Sequence, residues 1–157
     1  MIKILVKWEE NRWSTGGQRD DDEWSRDSSD GELAFVDYKI FEEQYDKSGY
    51  YSELATIKED TGTVFVIFSC YDTGDSFGHD ANYFQFIEAF SDIKNAEIAL
   101  KQIDKQIKKK ESLVEFTNDV GEKREVYLCG LEDYFGSLNY IEIKEISKNS
   151  TQRITYH

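Results

Sequence analysis

The chain has 157 residues, with 19 Lys and Arg against 32 Asp and Glu, a formal net charge of −13. That balance argues against direct binding to nucleic acid, whose phosphates need clustered Lys and Arg, and against anionic membrane surfaces. Hydrophobic residues at 39% and aromatics at 15% supply enough apolar material for a core, which argues against global disorder.

Taken in chain order, Met1 to Trp8 predicts a strand. Ile2, Ile4, Val6 and Trp8 alternate with Lys3 and Lys7, the period of a half-buried strand. The same stretch is too short and too charged for a signal peptide. No apolar run approaches the roughly 20 residues of a membrane span, so a cytoplasmic protein is expected. Residues 9–31 read as a long acidic loop. Glu32 to Phe41 predicts a second strand, with Ala34, Val36, Tyr38 and Ile40 on one face.

Thr63 to Tyr71 contains the continuous apolar run Val64-Phe65-Val66-Ile67-Phe68, which predicts a central strand covered on both faces. Tyr83 to Phe90 fits a strand through Phe84, Phe86 and Phe90. Ser91 to Lys110 predicts a helix whose apolar stripe is Ile93, Ala96, Leu100, Ile103 and Ile107. Asp92 suits its N-cap, and Lys108, Lys109 and Lys110 complement the dipole at its C-terminal end. Strands over Leu113–Phe116, Glu125–Cys129 and Leu138–Ile146 follow, then a tail expected to be loose or an edge strand. The fold class expected is α+β: a mostly antiparallel sheet of about six or seven strands, carrying one long helix over residues 92–110 on a face. One domain, residues 1–157, is expected. Cys70 and Cys129 sit in apolar runs and read as reduced thiols.

Charge is unevenly spread. Residues 1–93 hold 8 Lys and Arg against 21 Asp and Glu, whereas residues 94–157 hold 11 of each. The densest cluster is Asp20, Asp21, Asp22, Glu23, Asp27 and Asp30, around Trp24; a second is Glu42, Glu43 and Asp46. Solvated loops explain such clusters in part. The functional reading is a docking surface for a basic groove, with Trp24 as an aromatic anchor. The Asp20–Asp30 acids lack the alternate spacing, central Gly and distal Glu of an EF-hand.

The loop Tyr71 to Asp80 carries the other candidate chemistry. Gly74, Ser76 and Gly78 match the G-x-S-x-G pattern, but the only histidines are His79 and His157. Asp72, Asp75, His79 and Asp80 form an alternative metal set, which a magnesium- or manganese-dependent nuclease or hydrolase would use. Lys and Arg are absent between Thr61 and Ser91, leaving nothing in that stretch to hold a phosphate. No cofactor and no catalytic residue is assigned.

The segment Tyr71-Asp72-Thr73-Gly74-Asp75-Ser76-Phe77-Gly78, with the strand and the helix Asp92–Ile107 after it, resembles small acidic bacteriophage-encoded accessory proteins. The likeness covers about 40 residues. In style the chain is similar to anti-CRISPR proteins and DNA mimics. That resemblance implies a non-enzymatic inhibitor of a host defence system, working in the host cytoplasm. It would occupy a basic, nucleic-acid-binding surface of a partner through Asp20, Asp21, Asp22, Glu23, Trp24, Asp27 and Asp30, supported by Glu42, Glu43 and Asp46. A structural or assembly role is the remaining alternative.

Overall fold

A computed structural model of the chain describes residues 1–11, 14–15, 32–42, 51–74, 80–131 and 136–156. In chain order the elements are β1 (Ile2–Asn11), β2 (Ser14–Thr15), β3 (Glu32–Ile40), β4 (Ser52–Ile57), β5 (Thr63–Gly74), β6 (Asp80–Phe90), α1 (Ile93–Lys108), β7 (Leu113–Thr117), β8 (Lys123–Tyr127), β9 (Gly136–Ser147) and β10 (Gln152–Tyr156). The α+β class holds: every ladder between these strands is antiparallel, and α1 is the one helix among the described residues. No helix among them is long and apolar enough to cross a membrane.

A sheet of six or seven strands does not form. The strands divide into an outer sheet of order β10-β3-β1-β4, a central sheet of order β2-β6-β5-β9, and the hairpin β7-β8. The reason lies in β5. Val64, Val66, Phe68 and Cys70 point to one side and pack with Ile4, Val6, Val36, Tyr38 and Ile57 of the outer sheet. Ile67 and the partly buried Phe65 point to the other side and pack with Ala96, Ala99 and Ile103 of α1 and Val114 and Phe116 of β7. A strand apolar on both faces needs a layer on each, so the outer sheet covers one side and the helix and hairpin cover the other. Each fully buried large side chain, such as Phe68 or Phe90, contributes roughly 1.5–3 kcal/mol.

Local corrections follow from the same packing. β1 runs on to Asn11, past the expected loop start at residue 9, because Glu9, Glu10 and Asn11 continue its ladder with β3. Strand β4 was not expected; it pairs with β1 and buries only Ala55 and Ile57. β8 spans Lys123–Tyr127 instead of Glu125–Cys129, set by its register with β7. The tail forms β10, an edge strand of the outer sheet. In α1, Asp92 caps Lys94 N–H as expected, at 2.9 Å. The buried face is Ala96, Ala99 and Ile103, flanked by the partly buried Leu100 and Ile107, whereas Ile93 is 42% exposed. Cys70 is buried, Cys129 is half-buried, and neither forms a disulfide.

The hairpin is held by side-chain amides. Gln106 donates to Glu115 C=O at 2.6 Å and accepts from Glu115 N–H at 2.7 Å. Gln102 accepts from Thr117 N–H at 2.8 Å. Residues four apart on a helix rise about 6 Å, and alternate strand residues are about 6.8 Å apart, so two glutamines can follow one strand edge. Gln85 of β6 performs the same service for β8, donating to Tyr127 C=O at 2.7 Å and accepting from Cys129 N–H at 3.0 Å. These contacts satisfy edge groups that would otherwise need another strand.

Two acids, the buried Asp119 and the half-buried Asp60, tie the layers together. Asp119, in the β7–β8 turn, accepts from Lys58 N–H at 2.6 Å, Ser91 N–H at 3.0 Å, Ser91 hydroxyl at 2.6 Å and Asn95 amide at 3.1 Å. Asp60 accepts from Tyr38 hydroxyl at 3.3 Å and Gly62 N–H at 3.1 Å, and it pairs with the Lys148 ammonium. Gly62 has φ +87, a conformation that glycine adopts without strain. Burial raises the Asp119 carboxyl, but its hydrogen bonds from Ser91, Lys58 and Asn95 outweigh that and hold it below the usual 3.8. A folded pKa below the unfolded one contributes stability above the unfolded value, lost as pH falls through it. Asp119→Ala should therefore cost about 2–4 kcal/mol at pH 7 in urea unfolding, and the gap to wild type should narrow as pH falls below about 4.

Candidate functional site

The outer and central sheets do not close on each other along one side. β4 is the last strand of the outer sheet, and β2 pairs with β6 only at Ala81 and Asp80. From Asn82 to Phe90, β6 has β5 as its only strand partner among the described residues. Between β4, β6 and β8 lies an open cleft of about 330 Å³. Aromatic side chains Trp8, Tyr71 and Phe86 line it together with Glu53, Glu88 and Arg124.

A β-bulge shapes the cleft. Ile67 pairs with Glu88 but Phe68 pairs with Phe86, so Ile87 is an extra residue in β6. Without it, Phe84, Phe86 and Phe90 would share a face, as simple alternation predicts. With it, Phe84 and Phe86 stay with the outer sheet, while Phe90 turns to the helix side. Trp8 stacks on Phe86 with centroids 5.8 Å apart and planes at 14°, and both rings meet Phe68 edge-on. This aromatic cluster forms a rigid wall.

Glu88 is 3% exposed. One carboxylate oxygen, Oε1, accepts from Ala89 N–H at 3.1 Å. Its Oε2 lies 3.8 Å from Arg124 Nε, beyond hydrogen-bonding length, and accepts no hydrogen bond from any described residue. Burial pushes the carboxyl up to about 7, although Ala89 N–H and the Arg124 charge pull it down; Asp119 and Glu53 add to the upward push. A buried carboxyl poised near neutrality in a cleft is a marker of a functional site. The contrast with Asp119 is instructive: similar burial, but hydrogen bonds enough to keep that group ionised.

Most residues singled out from sequence lie elsewhere. Asp20, Asp21, Asp22, Glu23, Trp24, Asp27, Asp30, Glu43 and Asp46 fall outside the described residues, and Glu42 is exposed just after β3. Of the alternative metal set, Asp75 and His79 also fall outside. Asp72 and Asp80 lie on β5 and β6, where Asp72 pairs with Asn82 and Asp80 with Gly74. Among the described residues, no group of three or more His, Cys, Asp and Glu could hold a metal ion. Sequence reasoning missed Glu88, Glu53 and Arg124. The readable signal was Glu88 itself, a lone acid within Phe86-Ile87-Glu88-Ala89-Phe90. No protein-family model, curated protein or solved structure matches the chain.

The raised pKa of Glu88 has a definite sign. Between its ordinary 4.5 and about 7, the unfolded chain has released a proton that the folded chain retains. Stability from this group therefore falls as pH rises through that window, by about 3 kcal/mol in all. Glu88→Gln removes the titration. Its urea midpoint relative to wild type should rise between pH 4.5 and pH 8; a constant difference would show that Glu88 ionises normally.

Proposed function

We propose that the chain is a non-enzymatic binding protein that sets an acidic surface against a basic, nucleic-acid-binding surface of a partner protein. The observation carrying this reading is the way charge divides along the chain. Residues 1–57, which supply three of the four strands of the outer sheet, hold 7 Lys and Arg against 14 Asp and Glu. Residues 93–128, which form the helix and hairpin layer, hold 8 against 7. The chain's connections between β1 and β3 and between β3 and β4 carry its two densest acidic clusters. Acidic charge concentrated in one part of a chain attracts a basic partner and speeds the encounter with it. Resemblance to phage accessory proteins makes an inhibitor of a host defence system, CRISPR-Cas among them, the concrete form of this reading.

Such a complex weakens steeply with salt, because exposed charges are screened beyond about 8 Å at physiological ionic strength. Pull-down from host lysate at low and high salt is the test. The quadruple reversal Asp20→Lys, Asp21→Lys, Asp22→Lys and Glu23→Lys should abolish capture at low salt. Capture of the same partner by that variant, undiminished, removes the reading.

A further inference from the structure

We propose that the β4–β6 cleft is the point where the basic partner inserts one cationic side chain, with Glu88 at its floor, Glu53 at its rim and Trp8, Tyr71 and Phe86 as its walls. The proposal rests on the docking reading above and adds an anchor to it. Three features of the cleft select a cation on an apolar stem. Its aromatic walls suit the methylenes of Lys or Arg and attract a cation through their ring faces. Glu88 is 3% exposed and its Oε2 accepts no hydrogen bond among the described residues, so a donor entering the cleft gains a charge-assisted bond that the fold does not supply. Arg124, on β8, approaches that oxygen only to 3.8 Å and is itself 56% exposed. It marks where a cation is attracted without filling the position.

The charged groups around Glu88 are Arg124 from β8, Glu53 from β4 and Asp119 from the β7–β8 turn. An incoming cation adds to Arg124 and favours the ionised carboxylate. Binding therefore expels the proton that Glu88 holds near neutral pH, and affinity rises from pH 6 to pH 8. Neutral guests of the same shape do neither.

The test is calorimetric titration of the full chain with hexa-arginine and with hexacitrulline, in two buffers of different ionisation enthalpy. Hexa-arginine should bind at least about tenfold more tightly than hexacitrulline, and more tightly at pH 8 than at pH 6, with a fraction of a proton released at pH 7. Glu88→Gln should weaken binding about fivefold or more and abolish proton release. Glu53→Gln, at an exposed position, should weaken it about twofold. Equal binding of the two peptides, or proton release unchanged in Glu88→Gln, overturns the cleft. Loss of binding on reversal of Asp20–Glu23 with none in Glu88→Gln overturns the cleft but leaves the docking reading standing. Binding undiminished in both variants overturns both.

Discussion

The constraint on which the rest depends is that β5 cannot face water on either side. Val64, Val66 and Ile67 are fully buried and Phe68 is 1% exposed, on alternating faces of one strand. The hydrophobic term for such a strand is satisfied only by two covering layers. One is the outer sheet, which presents Ile4, Val6, Trp8, Val36 and Tyr38 to it. The other is α1 with the hairpin, locked in place by Gln85, Gln102 and Gln106. Asp119 then joins the end of β4, the end of β6, α1 and the β7–β8 turn through one carboxylate.

Covering a twisted central strand from both sides leaves a seam where the covers meet. Here the seam lies between β4 and β8, across β6, and the bulge at Ile87 places Glu88 within it. A charge at that point is costly, because burial removes water from the carboxylate and Oε2 accepts no compensating hydrogen bond among the described residues. The fold tolerates it by keeping the group close to half-protonated at neutral pH. A group held in that state responds strongly to any charge brought near it, and this links the packing of the core to the proposed role in recognition.

Much of the frame was legible in the sequence. The period-2 pattern of Ile4, Val6 and Trp8, the apolar run of β5 and the Asp92 cap are local signals, and each has its expected structure. The division into layers was less legible, because it depends on which strands pair. β4 was hidden because it buries only Ala55 and Ile57, and its other positions are polar or half-exposed. Four of the five residues of the expected helix stripe, Ala96, Leu100, Ile103 and Ile107, meet the core; Ile93 does not, and Ala99, which carries little hydropathy, does. No local rule reveals a bulge, so the side taken by Phe90 and the placement of Glu88 required the register of β5 and β6. The acidic clusters are legible only as charge, since Asp20–Asp30 falls outside the described residues.

The proposed cation site depends on the electrostatic state of Glu88 within that seam. An NMR titration of its side-chain carboxyl carbon in the folded chain, assigned by comparison with Glu88→Gln, reads that state directly. A midpoint of about 7 is predicted. A midpoint near the ordinary 4.5 would mean that the carboxyl is solvated, and the buried, cation-seeking site described above would not exist.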